Sequence, residues 1–199
     1  MTAWDYIVWA LTCVFGGIFP ARTALYFLAP AKGRVRWIAP YLVIGAALSM
    51  PTWAGDGNPL YYFPFLIAAF LIGYGGRPAA RLVVGTIFFE WIIAWSMIVD
   101  TRAVLPGSAG YWGAMAWKLA MWAAVWLLMR RVFRDGKQVA LSGRLWALLG
   151  LLALSPLLSE LAFSMWDIRA YTIDGTDAQI DAAFYTLLPF VFVSAIALL

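Results

Sequence analysis

The chain has 199 residues, 64% of them hydrophobic and only 12% charged, with a net charge of +4 and no histidine. A soluble domain is nearer half apolar and a quarter charged, so the composition points to a polytopic membrane protein. Without histidine, these residues exclude His-based acid–base chemistry, His metal ligands and a phospho-accepting histidine, and the single Cys13 excludes an intramolecular disulfide.

The N-terminus, MTAWDYIVW, has no positive n-region and does not read as a cleavable signal peptide. Seven apolar runs follow in order, near 4–28, 37–53, 61–74, 82–99, 111–133, 145–165 and 182–199. The first contains Pro20 and Arg22, and the second begins just after Lys32, Arg34 and Arg36. AGDGNPL reads as a turn, and Gly75-Gly76-Arg77-Pro78 ends the third run. The runs are continuous where membrane β-strands would alternate, which predicts an all-α transmembrane helix bundle with about seven spans. The second and third runs are shorter than about 20 residues, so they must stand nearly upright or be extended by flanking aromatics.

Orientation follows from the basic residues. The loops after the first, third and fifth runs hold Arg22, Lys32, Arg34, Arg36, Arg77, Arg81, Arg130, Arg131, Arg134, Lys137 and Arg144, eleven of the 14 basic side chains. The opposite loops hold only Arg102 and Arg169. By the positive-inside rule the N-terminus lies outside and the C-terminus inside. Because the positive charge is divided among short loops, it reads as an orientation signal and not as a nucleic-acid surface. The last run reaches Leu199 while still apolar, with no basic flank. The expectation is a membrane region cut from a longer protein, with a cytoplasmic domain to follow.

Apart from the basic residues already assigned to the inner side, three charged residues stand well inside the apolar runs: Glu90, Lys118 and Glu160. Charges at membrane depth are costly and mark either pairing or function. Lys118 and Glu160 lie at similar depths below the outer face, to within one helical turn, so they form the best-matched pair. That pair is either a structural bridge between helices or a contact to a ligand or ion. Glu90 is either a protonated carboxyl bonded to a neighbouring helix or a proton-coupled or ligand-binding acid. In the fifth run Met115, Lys118, Trp122, Trp126 and Met129 share one helix face, while Gly113, Ala116, Ala120 and Ala124 share another. The small face fits close helix packing. The Met/Trp face fits lipid or core better than a ligand box. Most of the 12 tryptophans fall near run ends, as an interfacial belt requires. No glycine-rich phosphate loop, metal-ligand spacing or nucleophile–base set is present, so no catalytic residue, metal or cofactor is expected.

The layout resembles the membrane input region of the accessory-gene-regulator-type, peptide-sensing receptor histidine kinases, whose kinase domains are of the GHKL class. The resemblance is carried by IFPARTALYFLAPAKGRVR, by GGRPAARLVVGTIFFEWII and by LLMRRVFRDGK, and it spans essentially the whole chain. It implies a multi-pass cell-membrane sensor for an extracellular, often cyclic and hydrophobic peptide. It also implies a homodimer and an attached kinase beyond Leu199. Two other readings stand beside it. One is a small transport subunit that binds a zwitterionic or cationic solute through Glu90, Lys118, Glu160, Trp122 and Trp126. The other is an assembly subunit without a ligand, whose charges merely pair.

Overall fold

The first apolar run folds as two helices in line, α1 (Ala3–Gly16) and α2 (Ile18–Ala24), parted by one residue. Sequence reading expects the interruption at Pro20. It falls at Gly17 instead, for a backbone reason: Pro20 has no N–H to give the carbonyl of Gly16, so the ladder lapses one turn upstream. Gly17 itself stays right-handed (φ −76, ψ −14), and the two helices remain nearly continuous. A computed structural model describes residues 3–33, 36, 38–50, 58–100, 109–133 and 141–165. Within them the remaining helices are α3 (Ile38–Ser49), α4 (Asn58–Gly73), α5 (Pro78–Asp100), α6 (Ala109–Val132) and α7 (Gly143–Met165). Among the described residues the protein is all-α apart from two residues of strand on either side of one contact. The seventh apolar run, 182–199, lies outside the described residues.

Contacts sort the helix ends into two groups. At one end, β1 (Ala29–Pro30), which follows α2, pairs antiparallel with β2 (Tyr74–Gly75), which joins α4 to α5. The Tyr26 ring meets Phe133 at the end of α6 (5.8 Å), and Arg77 reaches the start of α7. Tyr74 donates its hydroxyl to the Ala21 carbonyl (2.7 Å), and the Ala31 N–H donates to Gly73 (3.3 Å). At the other end, the last turn of α3 meets Cys13 and the start of α6. The helices therefore run alternately up and down.

The closest packing is between α1 and α3. A Cβ on Gly17 would overlap the carbonyl of Tyr41, and one on Gly45 would overlap the carbonyl of Cys13. These pairs set an antiparallel register in which backbone lies against backbone. The spacings Cys13-xxx-Gly17 and Gly45-xxx-Ser49 are the small-xxx-small pattern that allows it. The small face of α6, by contrast, turns outward: Gly113, Ala116, Ala120 and Ala124 are all exposed, and nothing lies within 4 Å of a Cβ on Gly113.

An aromatic ladder joins α4, α5 and α6. Phe63 and Tyr62 meet Phe89 (4.7 and 5.9 Å), Phe70 meets Phe88 (5.4 Å), and Phe88 and Trp91 meet Trp122 (5.4 and 5.9 Å). Such tilted and offset ring pairs add about 0.5–1.5 kcal/mol each beyond the area they bury.

Among the described residues two helical stretches are long and apolar enough to cross a membrane, Pro78–Ser96 and Gly110–Val132. The first is 61% buried inside the protein, the second only 28%. At 1.5 Å per residue, the 12 residues of α3 extend about 18 Å and the 16 of α4 about 24 Å.

Replacing Gly45 with alanine is expected to force α1 and α3 apart, lowering the melting temperature in detergent by several degrees, an overpacking cost of about 1–3 kcal/mol. Gly113→Ala, made in open space, is expected to leave it unchanged or slightly raised. Equal melting curves for the two variants would show that the glycine contact contributes nothing.

Candidate functional site

A helix leaves its last four carbonyls without an intrahelical donor. In α3 these belong to Ala46, Ala47, Leu48 and Ser49, and each is met. Ser49 turns its own hydroxyl back to Ala46 (2.8 Å), and the Met50 N–H reaches Ala47 (3.4 Å). The other two donors come from α6. Lys118 Nζ donates to the Leu48 carbonyl (3.3 Å), and the Tyr111 hydroxyl donates to the Ser49 carbonyl (2.9 Å). Since the one Ser49 proton is committed to Ala46, the Cys13 thiol is the donor in its 3.3 Å contact with Ser49 Oγ.

The local geometry of α6 makes this possible. Side chains on a helix lean toward its N-terminus, so Lys118 reaches back toward the turn that carries Tyr111. The ammonium is 2% exposed and sits at the negative end of α3. A cation there is favoured by the helix dipole, by up to about 2 kcal/mol where water is partly excluded. The Leu48 carbonyl is thus one partner of Lys118. The Glu160 side chain proposed for it lies outside the described residues.

Glu90 is 0% exposed, within a stretch of α5 where Phe88, Phe89, Ile92, Ile93 and Ala94 are all buried. Its neighbour Trp91 meets Trp122, one turn beyond Lys118 on α6. Lys118 and Glu90 therefore lie on two helices joined through the Phe88–Trp91–Trp122 cluster. The buried indole N–H of Trp122 and the hydroxyl of Ser96 have no hydrogen-bond partner among the described residues. Trp126 is different: it stacks against Phe19 of α2 (5.6 Å) and lies under the Arg130 guanidinium (5.5 Å). It packs α6 on α2 at a distance from the polar cluster. The Met/Trp face of α6 is thus its core face.

A second set of polar contacts closes the opposite end. Arg81 Nη1 donates to the Leu71 carbonyl in the last turn of α4 and to the Tyr74 carbonyl (3.3 Å). Two short helices, α3 and α4, therefore end on a cation from a later helix. Sequence reading singled out Lys118 as a buried charge but not its acceptor. The missed signal is length: α3 has only 12 residues, and its last turn ends buried inside the bundle.

No family model, curated protein or solved structure matches the chain.

Lys118→Met is expected to lower the detergent melting temperature by roughly 3–10 °C, the range for losing a charged hydrogen bond in a chain of this size. Tyr111→Phe is expected to cost less, roughly 2–4 °C, and Lys118→Arg to retain most of the stability. An unchanged melting temperature in Lys118→Met would refute the capping role.

Proposed function

We propose that the chain is a multi-pass membrane sensor module, with the N-terminus outside and seven crossings. Its outer end receives a signal, and its inner end governs an attached histidine kinase of the peptide-sensing type described above. Support for the membrane setting comes from α6, which is apolar yet only 28% buried by its own protein, and from Tyr61, Phe65 and Leu151, which expose two-thirds or more of their surface. A soluble fold would cover such faces.

The observation that carries the sensor reading is the reach of α6. One end of this helix holds the last turn of α3 through Tyr111 and Lys118, and the other carries Arg130 and Arg131. A ligand that displaced the α3 cap would act directly on a rigid element about 36 Å long that leads to the basic end (24 residues). In this reading an extracellular hydrophobic peptide binds where α1, α3 and α6 meet, and the protein works as a homodimer.

A second reading is favoured by one specific feature, the buried Trp122 indole and Ser96 hydroxyl, which have no hydrogen-bond partner among the described residues. A transported solute carrying hydrogen-bonding groups would satisfy them.

Single cysteines introduced in a Cys13→Ser background test the orientation. A cysteine at Asp56 is expected to react with an impermeant maleimide added to intact cells, and one at Lys32 only after lysis; the reverse pattern would overturn the topology. The reading frame past Leu199 separates the two functions. A dimerisation helix followed by a GHKL ATPase domain is expected for the sensor, whereas a stop codon beside an ATPase gene would favour the transporter.

A further inference from the structure

At the end of the bundle where the arginines gather, a cavity of about 340 Å³ opens between the α2–β1 corner, the start of α5 and the start of α7. Its floor is apolar and buried: Phe27, Leu28, Ala80 and Trp146 are all less than a tenth exposed. Its rim is polar and exposed, formed by Gly76, Arg77, Ser142 and Gly143. No carboxylate lines it among the described residues.

Two features of the rim bear on what it would hold. Gly76 adopts φ +98, a conformation that side chains rarely take, and a Cβ there would have nothing within 4 Å, so the turn leaves the mouth open. Across the mouth, Arg77 Nη1 lies 3.8 Å from the place a Cβ on Gly143 would occupy. The guanidinium is therefore brought against the first turn of α7, where Ser142 Oγ already accepts from Leu145 (3.3 Å). A cation set against the positive end of a helix is an unfavourable pairing, and an oxyanion between them would turn it into an attraction.

We infer that this cup is a binding site for a phosphate ester bearing an apolar group. The phosphate oxygens take the fork of Arg77 at the rim, and the apolar part rests on Phe27, Leu28 and Trp146. An arginine fork suits a phosphate because two parallel N–H groups match two of its oxygens. The volume admits a headgroup together with the first part of a chain. Two sources share this chemistry, an anionic membrane lipid and a free phosphate ester. The site goes beyond the sensor reading and does not depend on it, since a basic pocket at a helix-bundle end is suited to anionic headgroups whatever the bundle does.

The test uses the full chain in nanodiscs of phosphatidylcholine with and without phosphatidylglycerol. Native mass spectrometry after release into detergent counts the retained lipid. Wild type is expected to retain phosphatidylglycerol in preference to phosphatidylcholine. Arg77→Gln should reduce that preference about fivefold, while Arg36→Gln, an exposed arginine at the same end that does not line the cavity, leaves it intact. Ala80→Leu fills the floor without changing the charge and should also lose the lipid, which keeps the test decisive if Arg77→Gln fails to fold. Retention that glycerol phosphate displaces identifies a free ester as the ligand; retention that it does not displace identifies the lipid. Two results would overturn the site: no retention of either probe by wild type, or an equal loss in Arg36→Gln and Arg77→Gln.

Discussion

The last turn of α3 is the constraint on which the rest of the structure depends. Its carbonyls cannot go unbonded in an apolar setting, where each orphan group costs several kcal/mol. Water is the usual remedy at a helix end, but here the turn is buried, with Leu48 and Ser49 each 1% exposed. The donors must therefore come from the protein. Lys118 and Tyr111 provide them from α6, and this fixes the height and rotation of α6 against α3. Once α6 is placed, its Trp122 meets Phe88 and Trp91, and α5 is placed in turn. The same solution recurs at the other end, where Arg81 of α5 meets the last turn of α4. Cations are well suited to this task because a helix C-terminus carries partial negative charge.

The same arrangement gives the buried lysine a bland explanation that its sequence position does not suggest. A lone ammonium within a span reads as half of an ion pair or as part of a binding site. In the structure it donates to a backbone carbonyl, that of Leu48, 70 residues away in the chain. That contact serves structure and leaves room for signalling, since a cap that holds two helices in register is also a place where a ligand can loosen them. Glu90 is fully buried in α5, and the buried Trp122 indole and Ser96 hydroxyl lack hydrogen-bond partners among the described residues. Buried polar groups of this kind are rarely left unmet in native proteins, which is why the cluster supports a solute-binding reading.

The helices were legible where composition alone decides them. Six apolar runs coincide with helices, if α1 and α2 are taken together, because a helix satisfies the backbone of a long apolar run within the run itself. That Met115, Lys118, Trp122, Trp126 and Met129 share one face of α6 was also legible from helical spacing; that face, read as fitting lipid or core, is buried except for the half-buried Trp126. The choice between small-residue faces was not. Gly113, Ala116, Ala120 and Ala124 form the more regular stripe, yet the close backbone contact is made by Gly17 and Gly45, which sit opposite carbonyls of another helix. A stripe shows that close approach is possible; only the partner decides whether it occurs. The interruption in the first run fell at Gly17 for a similar reason, since proline acts on the carbonyl four residues before it.

Sequence by itself determined that the chain is helical and apolar, which residues are charged within the apolar runs, and that the basic residues gather in alternate loops. These are local or additive properties: hydropathy, helical period and loop charge need no knowledge of the partner helix. Tertiary structure decided what those residues touch. It set Lys118 on Leu48 and Arg81 on Leu71, placed a two-residue ladder between segments more than 40 positions apart (Ala29 with Gly75), and enclosed a cavity under Arg77. Each of these joins different elements of the fold, most of them distant in the chain, and helical periodicity says which face of a helix is apolar without saying which helix will cover it.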